Sequence, residues 1–389
     1  MKIDFPKIQT RLTPGEFEYV TNVIRSAETY SMGPELKRLE DTLAGQVGVA
    51  HAVGVNSCTA ALELAVMTSG LVENDEVIIP AHTFTATAIP FLRLKAKLVF
   101  ADIDPETLVM SMDSVRSCMT SKTKAIVPVH LYGLMVDMPK IMELAQRHGL
   151  TVIEDCAQSP GAHIHGKAAG SWGDFGCFSF HSQKNIHALG EGGCIVTQDA
   201  RHYERLLGLR KIGSRPFQNQ KKYWVPAMSN IVESVPGKVP YNFALPEPNA
   251  AAACCLLKRL EAINDSRRRQ ARQIQDALAD CSELQFQKIP PGYASAHHLL
   301  VARYTRPGHH RDELIELLHT RHGIQCVVQY YPLYNYELFQ KNGYMEKICP
   351  RADDFFNHMI SFPFWTDMPE DVVHDLVQSV RAAVMELRT

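Results

Sequence analysis

A single lysine, Lys184, stands among apolar, hydroxyl, amide and histidine residues in "CFSFHSQKNIHALGEGG" (177–193), six residues ahead of a Gly-Glu-Gly-Gly turn. Lysines seldom go where they lose water unless a partner or a chemical task holds them there. A free lysine, with a pKa of about 10.4, is too protonated to attack a carbonyl at neutral pH. Such an amine needs surroundings that keep it neutral, or a covalent partner. A second reactive type is Asp155, which ends the apolar run of "VIEDCAQSPGA" (152–162) beside Glu154, with Gln158 three residues on. Its plainer role is a helix cap; its chemical role is a fixed carboxylate for a cationic ligand nitrogen, such as a protonated pyridine. In "VNSCTAALELAV" (55–66), Asn56, Ser57 and Thr59 lie between a strand-like run and a helix-like one. Hydroxyls beside free N–H groups at a helix start make an anion site, although Ser and Thr are also ordinary caps. Phe84 in "PAHTFTATA" (80–88) is either core or a plate over a flat ligand. Taken together these are a phosphate cup, an aromatic cover, a carboxylate for a ring nitrogen and a lysine for an aldehyde, the parts of a pyridoxal phosphate (PLP) site.

The elements that must position these groups follow one rhythm from residue 50 to 156. Short β-branched runs ("HAVGV", "EVIIP", "KLVFADI", "AIVPVHL", "TVIEDC") alternate with helix-length stretches. That alternation predicts an α/β fold with a mostly parallel central sheet and helices on both faces. Ligands in such sheets bind beyond the carboxyl ends of the strands, where the polar residues above fall. The large cofactor-binding domain is expected over 1–248, with an N-terminal helical segment and an irregular, Pro- and Gly-rich excursion at about 212–248. A long connecting helix is expected over 249–282, and a smaller C-terminal α+β domain over 283–389, with strand-like "HHLLVARY", "IQCVVQYY" and "MISFPFW".

Length and composition fit this organisation. The 389 residues exceed one compact core, and 46% apolar with 21% charged residues is ordinary for a globular protein. A net charge of −2 gives no basic field for nucleic acid or an anionic membrane. The run Arg267-Arg268-Arg269 reads as the solvated face of a helix. Ten cysteines without CxxC spacing read as reduced thiols in a cytoplasm, with no zinc or other metal site. The start, "MKIDFPKIQTR", has no hydrophobic core of a signal, and no window approaches a membrane span.

The order of these segments resembles the DegT/DnrJ/StrS-type PLP-dependent sugar aminotransferases, which share the aspartate aminotransferase fold (fold type I). The resemblance runs from "GPELKRLE" to "SFPFW" and rests on "VNSCTAAL", "VIIPAHTFTATA", "VFADIDPETL", "AIVPVHLYG", "VIEDCAQSPGA", "GDFGCFSFHSQKN" with "GEGG", and "YNFALPEPNAA". It implies that Lys184 forms the internal aldimine, Asp155 pairs with the pyridine nitrogen, and Gln158 lies near the ring hydroxyl. It places Ser179, Thr59 and Ala60 at the phosphate, with Cys58 where relatives often have glycine, and Phe84 on the ring. Asn242 matches an asparagine that reaches the cofactor phosphate of the neighbouring subunit, which implies a homodimer with shared active sites. The "YNF" segment lacks an arginine usual two residues after that asparagine, and Leu134 and Met135 replace a more polar Gln-Pro pair.

The activity so implied is ping-pong transfer of an amino group from glutamate or glutamine to a keto-sugar, nucleotide-linked by family default. A sugar phosphate or a cyclitol ketone is the alternative acceptor. Related sugar dehydratases generally carry histidine in place of the lysine, so the presence of Lys184 favours transamination. A non-catalytic regulatory homologue would not need the full cofactor set, and a nicotinamide enzyme would need a glycine fingerprint that "VGVNSCTAAL" lacks. Tyr330, Tyr331, His297, His298 and His187 are open between sugar contact and packing.

Overall fold

The computed structural model describes residues 2–215, 230–308, 310–345 and 349–388. Seven strands form its main sheet: His51–Val55 (β1), Glu76–Pro80 (β2), Lys97–Ala101 (β3), Thr123–Ile126 (β4), Thr151–Asp155 (β5), Phe175–Ser179 (β6) and Gly193–Thr197 (β7). Their order is β1-β7-β6-β5-β4-β2-β3. Only β7 runs against its neighbours; the pairs β6–β5, β5–β4, β4–β2 and β2–β3 are parallel. The strands are β-branched and apolar because helices cover both faces, so runs such as Val77-Ile78-Ile79 and Val152-Ile153 are wholly buried.

The register sets the site. Asp155 pairs with Cys177 and Ser179 with Gly193, while Val55 meets Gly193 from the other side. The carboxyl ends of β1, β5 and β6 therefore lie together at the start of β7. The helix Cys58–Thr68 leaves β1 there, started by Ser57, whose Oγ accepts the Ala60 N–H at 3.1 Å.

A smaller antiparallel sheet contains Leu284–Phe286 (β8), Leu300–Tyr304 (β9) and Met359–Phe362 (β10), with β9 central. It shares a second apolar cluster with Leu314, Leu318, Leu376 and Val380 from two helices, and with Ile3 from the N-terminal segment. Among the described residues no helix is long and apolar enough to cross a membrane. All ten cysteines are unpaired.

The structure departs from three expectations. The stretch expected as one connecting helix is two, Glu247–Lys258 and Leu260–Ala277. The joint, Arg259, takes φ −114° and ψ 20°, and its guanidinium bonds Glu16 at 2.7 Å and the Arg11 carbonyl at 2.6 Å. "IQCVVQYY" forms no strand: it makes single bridges at Ile324 and Val327, and then the Gln329 carbonyl is taken by the Tyr132 hydroxyl at 2.5 Å. That bond draws the chain off the ladder. Arg267 is not solvated but fully buried. Carbonyls of His297 and His298, each at 2.8 Å, replace its water, and its guanidinium lies 4.5 Å from the Phe364 ring centroid. Residues 216–229 of the irregular excursion lie outside the described residues.

Candidate active site

Neighbouring residues on a strand point to opposite faces, which separates Glu154 from Asp155. Glu154 turns away from the strand ends: it accepts the backbone N–H groups of Gly170, Trp172 and Gly173 at 2.8–2.9 Å and lies 3.0 Å from His130 Nε2. With Cys156 these two form a tight buried group, but the Glu154 oxygens are already spent on the loop that precedes β6. Asp155 turns to the other side. Its Oδ2 accepts the Thr87 hydroxyl at 2.8 Å, its Oδ1 the Ala157 N–H at 3.0 Å, and Thr87 is steadied by Thr83 at 3.1 Å.

The carboxylate faces a cavity of about 300 Å³ whose wall includes Ser57, Cys58, Thr59, Phe84, Gln158, Ser179 and Lys184. Desolvation lowers the Lys184 pKa below the usual lysine range, against the pull of Asp155 and Cys58. Among the described residues its ammonium makes no hydrogen bond or ion pair. The next residue anchors the turn: Asn185 is buried, and its Nδ2 donates to the Ala296 carbonyl at 2.8 Å.

Gln158 is held at both ends. Its Oε1 accepts the Tyr132 N–H at 2.7 Å and its Nε2 donates to the Tyr330 hydroxyl at 3.0 Å. Tyr330 lies parallel to Tyr132 at 6.5 Å and tilted to Phe84 at 5.9 Å, which lines that wall with rings. Phe84 is 54% exposed in the single chain, a high value for a core phenylalanine and a natural one for a ring awaiting a cover.

The glycine turn has a steric reason. A Cβ on Gly193 would stand 2.4 Å from the Ser57 carbonyl carbon and 2.6 Å from the Cys58 nitrogen. Backbone cannot yield there without moving the N-terminus of the Cys58–Thr68 helix. Gly193→Ala is therefore expected to cost on the order of 2 kcal/mol and to weaken cofactor binding roughly ten-fold. Thermal unfolding and cofactor titration of the purified variant check this; a melting temperature and affinity equal to wild type contradict it.

Three histidines lie near the cavity, His82 and His298 buried and His297 half-buried, with His298 on its wall. His82 Nε2 lies 2.6 Å from the Tyr132 hydroxyl, and burial draws its pKa down to about 3. Burial, then Arg267, draws His297 down to about 4, and His298 falls well below the ordinary value through burial and Lys184. These groups stay neutral in the folded chain, whereas unfolded histidine protonates near about 6.5. The unfolded state thus binds more protons between about 6.5 and 4. Stability is full above that window and falls on acidification, by ~1.4 kcal/mol per pH unit for each such histidine. Denaturant unfolding at pH 7.5 and pH 5 should show that loss, and equal stabilities would contradict it.

Most residues singled out from the sequence meet here. Lys184, Asp155, Gln158, Ser179, Thr59, Cys58 and Phe84 line one cavity, and Ala60 lies in the first turn of the helix that opens on it. Asn242 does not: it is exposed, beside Tyr241, and outside this cavity wall. Of the undecided residues, His298 and Tyr330 line the cavity; His187 is buried against the Thr10 carbonyl at 2.7 Å. The sequence reading missed Thr83 and Thr87, whose four-residue spacing in "HTFTAT" was a usable signal. It also missed Phe5, Gln9 and Gln329, which reach the wall through distant contacts.

The sequence profile of the DegT/DnrJ/EryC1/StrS aminotransferase family matches residues 11–381. The chain belongs to this family. DegT/DnrJ/EryC1/StrS aminotransferases are PLP-dependent. The chain is 36% identical over 376 residues, 96% of each chain, to the UDP-N-acetyl-3-dehydro-alpha-D-glucosamine 3-aminotransferase of Acidithiobacillus ferrooxidans. Its fold matches S. venezuelae DesV, solved in complex with a ketimine intermediate, at TM-score 0.85 and 30% identity over 95% of this chain and 94% of that one. It also matches Streptococcus pneumoniae Spr1654 in its PMP form, at TM-score 0.89 and 25% identity over 98% and 99% of the two chains.

The cavity suits the family's cofactor on its own chemistry. PLP brings an aldehyde, a basic ring nitrogen, a flat ring and a phosphate. The cavity offers a desolvated amine without a hydrogen-bond partner among the described residues, a carboxylate locked by two donors, an open aromatic ring and a helix N-terminus made accessible by a glycine.

Proposed function

We propose that this chain is an aminotransferase that moves an amino group from glutamate or glutamine to a nucleotide-linked keto-sugar in two half-reactions. The observation that carries the reading is the unpartnered, desolvated amine of Lys184 in the same cavity as the clamped Asp155. The family, and the nucleotide-sugar substrate printed for the Acidithiobacillus ferrooxidans relative, support the choice of acceptor.

Bound PLP supplies the electron sink that allows the donor's Cα–H bond to break. Lys184 Nζ takes up the Cα proton and returns it, and desolvation keeps the amine neutral enough to do so. Asp155 holds a proton on the ring nitrogen by its fixed negative charge. Ser179, Thr59 and the helix N-terminus at Cys58, with Ala60 beside it, would hold the phosphate, Gln158 the ring hydroxyl, and Phe84 would cover the ring. Asn242 completes the phosphate site of a second copy. Its exposure, with that of Phe84 and of Val239 at 81%, supports a homodimer with shared active sites. The ten unpaired thiols suit a reducing cytoplasm.

The acceptor is tested by loading the amine form of the cofactor and offering ketones one at a time. A nucleotide-linked keto-hexose should restore the aldehyde-form absorbance. Return of that absorbance with a cyclitol ketone or sugar phosphate, and none with nucleotide-linked sugars, would overturn the choice.

A further inference from the structure

The N-terminal segment reaches the cavity, and Phe5 and Gln9 form part of its wall. Three bonds tie it down. The Thr366 N–H donates to the Gln9 carbonyl at 2.8 Å, the Thr10 and Thr366 hydroxyls meet at 2.8 Å, and His187 Nε2 lies 2.7 Å from the Thr10 carbonyl. His187 is three residues beyond Lys184, so the segment is locked to the turn that carries the amine.

Gln9 is 1% exposed. A terminal nitrogen of Arg267 lies 3.2 Å from its Oε1. A guanidinium only donates, so the atom facing it must be the amide oxygen. The other end, Nε2, is buried with no hydrogen-bond partner among the described residues. Buried amide donors are rarely left unpaired, and one on a cavity wall calls for a ligand acceptor.

The acceptor is best an anion. Arg267 donates only to neutral groups: the His297 and His298 carbonyls, the Thr366 hydroxyl and Gln9. Among the described residues no carboxylate forms an ion pair with it. The positive charge of Arg267, acted on by Asp367 without a bond between them, therefore stands behind Gln9, and its hydrogen bond polarises the amide toward stronger donation. The carboxylates on the cavity wall are otherwise engaged, Asp155 by Thr87 and Ala157, and Glu191 at 3.7 Å from His181.

We propose that Gln9 reads the α-carboxylate of the amino donor, its side-chain N–H taking a carboxylate oxygen while Arg267 holds the amide from behind. The proposal rests on the reading of glutamate or glutamine as donor. That carboxylate sits on the carbon whose proton Lys184 removes, so it must bind close to the amine, where the Gln9 segment is fastened.

The test is Gln9→Glu, which keeps an oxygen facing Arg267 and replaces only the N–H donor with a negative oxygen. Gln9→Leu removes the donor without adding charge. The probe is α-methylglutamate, which has both carboxylates but no proton on the reacting carbon, titrated into the PLP-loaded enzyme by calorimetry. Its Kd should rise about ten-fold in Gln9→Leu and about a hundred-fold in Gln9→Glu. The Gln9→Glu melting temperature should hold, because the Arg267 contact is kept. Wild-type affinity in Gln9→Glu overturns the proposal, as does a loss of probe in both variants that merely follows a fallen melting temperature. If the wild-type enzyme neither binds the probe nor changes its spectrum with glutamate or glutamine, the donor reading itself fails and takes this proposal with it.

Discussion

Lys184→Ala is expected to lower the rate of the glutamate half-reaction by at least about ten-thousand-fold while leaving the fold intact. The size follows from what is removed. Among the described residues no other amine lines the cavity, and two titratable groups on its wall are otherwise engaged: Asp155 is committed to Thr87 and Ala157, and His298 is turned to Asn185 at 3.2 Å. Stability should not fall, because the lost amine is desolvated and unpartnered in the free protein. Single-turnover absorbance with glutamate and a thermal melt, on the same preparation, separate the two effects. A variant that transaminates at the normal rate would remove the basis of the account, and one that is unfolded would show Lys184 to be structural.

Asp155→Asn is the second large effect, expected to be roughly a thousand-fold on the same half-reaction. Asparagine keeps an oxygen for the Thr87 hydroxyl or the Ala157 N–H but loses the negative charge. The ring nitrogen of the cofactor would then lose its proton at neutral pH, and with it the capacity to accept electrons. Asp155→Glu keeps the charge but moves it by one carbon, and should recover part of the rate. Half-reaction rates across pH 6 to 9 test this. Equal rates for the wild-type and Asp155→Asn proteins would show that the carboxylate only caps the chain after β5.

Much of this was legible in the sequence for a local reason. Asp155, Ser179 and the Ser57–Ala60 group each follow an apolar strand run, so the rule that ligands lie beyond strand carboxyl ends finds them without long-range information. The parallel sheet was legible in the same way, because each strand is buried on both faces. What could not be read depends on contacts far apart in the chain. Arg267 looks like one of three solvated arginines until the His297 and His298 carbonyls and Gln9, 258 residues away, are placed around it. "IQCVVQYY" has the alternation and β-branching of a strand, but Tyr132 takes the carbonyl its ladder would need. The break at Arg259 has no Gly or Pro to announce it; a side chain reaching Glu16 makes it. Gln9 carries no periodic signal, and only its place against Arg267 gives it meaning.

The amine of Lys184, and no other, is expected to bond the cofactor aldehyde. Borohydride reduction of the PLP-loaded enzyme, followed by digestion and mass mapping, tests it most directly. A phosphopyridoxyl group is predicted on the peptide containing Lys184, in one equivalent per chain. The label on another lysine, or on none, would contradict it.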